Sequence, residues 1–145
     1  MRINYAAVVV SALLYWALGA VWYTAFSKPF VALMRWTPEQ VARVEAEGPG
    51  REIGVALLVS LLTSYVLAHF VKFTGAETAS KGAQTAFWLW LGFVLTTNLN
   101  TVLFESRPLG LYLINSGYHF VGLLAMGAVL AVWKKKEARV AAYQT

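Results

Sequence analysis

The side chains able to do chemistry are few and concentrated in one stretch. Residues 96–105 read Thr-Thr-Asn-Leu-Asn-Thr-Val-Leu-Phe-Glu, and Tyr112, Asn115, Ser116, Tyr118 and His119 follow soon after. A helix would place Asn98, Thr101 and Glu105 on one face, at i, i+3 and i+7. It would place Asn115, His119 and Gly122 on another, at i, i+4 and i+7. Carboxamides both donate and accept hydrogen bonds, Glu105 and Arg107 supply opposite charges, and an imidazole can take up a proton near neutrality. Asn98, Asn100, Glu105, Arg107, Asn115 and His119 are therefore the candidate ligand-binding residues. The asparagines would donate and accept, Glu105 and Arg107 would gate or orient, and His119 would sense protons. With no cysteine, two histidines and seven acids, the chain predicts no cofactor, no metal centre and no catalytic residue.

The elements that carry these residues follow from composition. Hydrophobic residues make up 59% and charged residues 13%, and the mean hydropathy is +0.57, against roughly 45–50% apolar and about 25% charged in soluble domains. A bilayer core about 30 Å thick takes roughly 20 apolar residues in a helix, since its backbone groups find no water there. Four stretches qualify, at about 5–26, 53–71, 83–104 and 109–133, and none carries a charged stripe at the helical period. The predicted fold class is an all-α membrane protein. It is a four-transmembrane-helix bundle forming a single domain over 1–145, with a short surface helix in the first loop. The first stretch is too long and too aromatic for a cleaved secretory signal and reads as a retained span. Trp22, Tyr23, Phe26 and Phe30 at one end of it, and Trp133 at the end of the last stretch, suit the membrane interfaces.

In the long connection, residues 30–36 suit a short helical turn on the membrane surface. Thr37-Pro38-Glu39-Gln40 reads as a helix start: Thr37 caps, Pro38 takes the first helical position and Gln40 reaches back to the cap. That helix should span about 38–47 and stop at Gly48-Pro49-Gly50. Residues 105–108, Glu-Ser-Arg-Pro, make the last two spans an antiparallel hairpin. Arg2, Lys72, Lys81, Lys134, Lys135, Lys136 and Arg139 fall on one side and outnumber Lys28, Arg35, Arg43, Arg51 and Arg107 on the other. The positive-inside rule puts both termini in the cytoplasm, in a cytoplasmic (inner) membrane. The formal charge of +5 thus points to a lipid surface and not to nucleic acid.

The hairpin sets relative depth. At about 1.5 Å per residue, Asn98 lies about 10 Å below Glu105 and Asn115 about 9 Å below Leu109, so the two asparagines can meet, with His119 about 6 Å deeper. Tyr15, Ser60, Thr63 and Ser64 are expected at a similar level, so the polar groups collect in the outer half of the bundle. This cluster has several uses open to it. It can fix helix pairing through bonds of about 0.6–2 kcal/mol each, or form an outward-facing pocket for a small ligand or lipid headgroup. It can also line a path for ions, protons or small solutes in a homo-oligomer, which the apolar run at 123–132 opposes. An intramembrane enzyme would need Glu105 and His119 to converge, although they stand about three turns apart in depth. Gly117, Gly122, Gly127 and Ala131, with Ala7, Ser11 and Gly92, let backbones approach, within one bundle or between copies.

Gly19-Ala20-Val21-Trp22-Tyr23, Asn98, then Phe104-Glu105-Ser106-Arg107-Pro108 and Ile114-Asn115-Ser116-Gly117-Tyr118-His119 together resemble domain-of-unknown-function family 1761. The resemblance covers essentially the whole chain. It implies a small four-span bacterial inner-membrane protein and assigns no activity. Because the chain lacks cysteine, single introduced cysteines report its orientation cleanly. In intact cells a membrane-impermeant maleimide should label Ser106→Cys and spare Thr145→Cys, and the opposite pattern would invert the topology.

Overall fold

A computed structural model describes residues 3–133. The helices are α1 (Tyr5–Ala25), α2 (Ser27–Met34), α3 (Pro38–Glu47), α4 (Gly50–Phe73), α5 (Ala79–Leu89), α6 (Thr96–Leu103) and α7 (Leu109–Val132). A π-helical segment, Trp90–Leu95, joins α5 to α6, and no strand occurs among the described residues. Tyr5–Ala25, Gly50–Phe73, the composite Ala79–Leu103 and Leu109–Val132 are long and apolar enough to cross a membrane. Arg2, Lys134, Lys135, Lys136 and Arg139, which weigh in the expected orientation, lie outside the described residues.

The connections obey local chemistry. Thr37 Oγ1 accepts from the Gln40 amide at 3.3 Å while Gln40 Oε1 accepts from the Thr37 amide at 2.8 Å, a closed capping box with Pro38 in the first turn. The helix stops at Gly48, whose φ of 68° suits a residue without a Cβ. Among the described residues no other helix packs against α3. Residues 27–34 form a full helix, displaced from the turn expected at 30–36, and Arg35 ends it in the left-handed region at φ 50°. Leu33 of α2 lies so close to Gly110 of α7 that a Cβ there would come within 2.9 Å of Leu33 Cδ1.

α7 is the hub, with α1, α2, α4, α5, α6 and the π-helical segment all packed on it. Lipid tails are as apolar as leucine, so helices in a bilayer associate through close packing and a few polar bonds. The α5–α7 contact is backbone on backbone. A Cβ on Gly82 would sit 2.1 Å from the Gly127 carbonyl oxygen, and one on Gly127 would sit 2.4 Å from that of Gly82. On the other flank Ser11 of α1 pairs with Ser64 of α4 at 2.7 Å, and Ser64 also donates to the Val8 carbonyl at 2.8 Å. Asn4 caps α1 and its Nδ2 donates to the Trp133 carbonyl at 3.1 Å, tying the start of α1 to the end of α7.

Two expectations need correction. Ser64 does not join an outer polar cluster. Because α1 and α4 run antiparallel, it meets Ser11, about one turn nearer the start of α1 than Tyr15, while Ser60 bonds the Ala56 carbonyl and Thr63 the Val59 carbonyl within α4. The third span is not one uninterrupted α-helix either. Its middle turn is π-helical, and such a turn shifts the angular phase of everything after it.

Gly82→Val should overpack the α5–α7 contact and cost about 1–3 kcal/mol, read as a lower denaturation midpoint in detergent. Gly54→Ala, whose new Cβ meets no neighbouring group within 4 Å outside its own helix backbone, should keep or slightly raise the midpoint. Equal midpoints for both variants would contradict the contact.

Candidate ligand site

A cleft of about 430 Å³ opens between α1, α6 and α7, lined by Tyr23, Asn98, Thr101, Glu105, Arg107, Leu111, Tyr112, Asn115 and His119. Its position follows from the hairpin. Thr101 accepts the Arg107 amide at its carbonyl at 3.0 Å, and Ser106 takes a left-handed φ of 55°. The tight turn brings Glu105 and Arg107 to the same rim, where the Arg107 Nε–Glu105 Oε2 pair spans 3.2 Å. Both side chains remain about half exposed (56% and 51%), so the cleft reaches the surface there, and the pair adds little to stability.

α1 supplies the far wall. The ring of Tyr15 lies against Gly122, where a Cβ would come within 2.3 Å of Tyr15 Cδ2. Only glycine therefore admits it. Tyr15 also stacks on Tyr118, with centroids 4.8 Å apart and planes 19° from parallel, and the Tyr118 hydroxyl donates to the Tyr15 carbonyl at 3.1 Å. So held, the Tyr15 hydroxyl stands 2.5 Å from Nδ1 of His119. A neutral imidazole that accepts at Nδ1 carries its proton on Nε2, which is then a donor. Two turns along α1, the Tyr23 hydroxyl donates to Asn115 Oδ1 at 2.8 Å. That bond leaves both amide hydrogens of Asn115 for another partner.

The other side chains fix backbones. Tyr112 donates to the Leu95 carbonyl at 2.9 Å, pinning the end of the π-helical segment. Trp22 donates to the Ile114 carbonyl and Trp90 to the Ser116 carbonyl, each at 3.0 Å. These bonds tie α1 and the third span to α7 on either side of the cleft.

Asn98, Glu105, Arg107, Asn115 and His119 thus line one space, and Asn100 does not. Two residues along a helix is about 200° of rotation, which leaves Asn100 exposed and away from the cleft that Asn98 lines. Asn98 and Asn115 face the same cleft from neighbouring helices, and it is Tyr23 that takes Asn115 Oδ1. Tyr15, expected at the level of the cluster, bonds His119, whereas Tyr23, read from the sequence only as an interface aromatic, is the partner that pattern did not supply. Its spacing of eight from Tyr15, which returns a helix to nearly the same face, was the available signal. Among the described residues no three histidine or carboxylate side chains come together.

Fold and site together define a class: a four-helix membrane bundle with a polar cleft at one end. The chain belongs to the DUF1761 family, described as a protein of unknown function, whose model matches residues 6–131. No curated protein and no solved structure matches it.

The Tyr23–Asn115 bond is measurable. A double-mutant cycle of Tyr23→Phe and Asn115→Leu, read by denaturation in detergent, should give a coupling of about 0.6–1.7 kcal/mol. Additive effects would mean that the bond does not form in the folded protein.

Proposed function

We propose that the cleft between α1, α6 and α7 binds a small polar ligand, or a lipid headgroup, rich in both donors and acceptors. It would enter from the non-cytoplasmic side of a cytoplasmic (inner) membrane in which both termini face the cytoplasm. The observation that carries the reading is the gathering of Tyr23, Asn98, Asn115 and His119, from three helices, on one cleft that reaches the surface beside Glu105 and Arg107. In a membrane helix, polar side chains that leucine could replace cost stability and tend to serve function. The amide hydrogens of Asn115, the carboxamide of Asn98 and Nε2 of His119 would make the contacts, and the Glu105–Arg107 pair would orient a dipolar ligand at the mouth. Self-association in the bilayer belongs to the same reading.

Binding is favoured over passage by what lies beyond the cleft. Tyr15 stacks on Tyr118 beside His119, and Leu123, Met126 and Leu130 are buried further along α7. An apolar, filled interior offers no continuing polar path.

A thermal-shift screen of the purified protein in detergent, against sugars, polyols, amino acids and zwitterions, tests the proposal. At least one class should raise the midpoint, and Asn98→Leu should abolish that rise while leaving the ligand-free midpoint nearly unchanged. A midpoint that Asn98→Leu lowers, with no compound raising that of the parent protein, would leave the cluster as helix packing alone.

A further inference from the structure

We infer a second site, on the opposite flank, that holds one anionic phospholipid along the groove between α4 and α5. It is independent of the cleft at α1, α6 and α7. The groove exists because its two walls are pinned elsewhere. Gly82 and Gly127 draw α5 onto α7, while Ser11 and Ser64 draw α4 onto α1. α4 and α5 touch each other far less than either touches its main partner, and the space between them is left unfilled.

That space has two parts in one line. The apolar part, about 400 Å³, runs between Leu62, Val66 and Phe70 of α4 and Leu89 and Phe93 of the third span. The polar part, about 570 Å³, lies nearer the α4–α5 connection and is lined by Thr74, Lys81, Gln84 and Trp88 among others. Phe70 and Leu89 line both, so the two are continuous.

Depth and charge fit an amphiphile. From Leu62 to Phe70 the groove follows α4 for about 12 Å, close to the roughly 15 Å hydrocarbon depth of one leaflet. Beyond it, toward the start of α5, Lys81 stands about 12 Å from Leu89 and lines the part of the groove nearer the membrane surface. Lys81 carries the single formal charge among the residues lining the polar part, and it is positive. A phosphate-bearing headgroup with no compensating cation suits Lys81, with the Gln84 carboxamide as a hydrogen-bonding neighbour. One acyl chain then fills the apolar part.

Native mass spectrometry of the delipidated, detergent-purified chain, given equal phosphatidylglycerol and phosphatidylethanolamine, reads the site directly. The parent should retain phosphatidylglycerol at least threefold over phosphatidylethanolamine. Lys81→Gln should level that ratio, and Val66→Trp, which fills the groove from a half-exposed position, should lower retention of both lipids at least threefold. Lys72→Gln, outside both parts of the groove, should keep the parent ratio. Equal retention of the two lipids by the parent would overturn the inference. So would a Lys72→Gln effect matching that of Lys81→Gln, which marks mere surface charge, or full retention in Val66→Trp.

Discussion

In lipid, no hydrophobic drive holds one apolar helix to another, so this bundle depends on how closely its neighbours can approach α7. The contact surface of α7 is made for approach on more than one side: Gly117 and Gly122 meet α1, Gly127 and Ala131 meet α5, and Ser116 is buried. Each gap is taken by a different partner. Gly127 receives the backbone of α5 at Gly82, Gly122 receives the ring of Tyr15, and Gly117 lies against Trp22. Dispersion over such short distances is the main attraction available. The polar bonds are secondary in energy but decide orientation, because a hydroxyl buried in an apolar medium forms its bond or pays the desolvation cost.

The candidate cleft is a by-product of that same surface. Tyr15 reaches His119 only because the edge of its ring can come close against Gly122, and Tyr23 reaches Asn115 because α1 is already held two turns away. Packing and site are therefore not rival descriptions of the polar cluster. His119 and Asn115 each bond α1 through one polar atom (Nδ1 and Oδ1) while both residues also line the cleft.

Much of this was legible in the residues and some was not. Hydropathy is a sum along the chain, so four helices long enough to cross a membrane could be read directly, as could the family. The period of 3.6 was enough to group Asn98 with Thr101, since both follow the π-helical segment in α6, whereas Glu105 joins them from the turn beyond Leu103. Asn100 was misplaced because nearness in sequence was taken for nearness in space. Ser64 was misplaced because counting residues from the ends of two apolar stretches does not fix the register of α4 against α1 to within a turn. Gly82 was passed over because it sits at the edge of its apolar stretch, where a glycine reads as loop. The π-helical segment leaves no mark in composition, since Trp-Leu-Gly-Phe-Val-Leu is as compatible with an ordinary turn.

That wide turn has an effect on how the third span is indexed. A π-helical turn accommodates an extra residue without lengthening the helix in proportion, so the parts on either side of Trp90–Leu95 are set against α7 separately. The earlier part is registered by Gly82 and Ala86 against Gly127, and the later part by the bond from Tyr112 to Leu95. The span is thus indexed twice, and the phase of the wall bearing Asn98 is set by its own anchor and not by the glycine contact at the far end of the span.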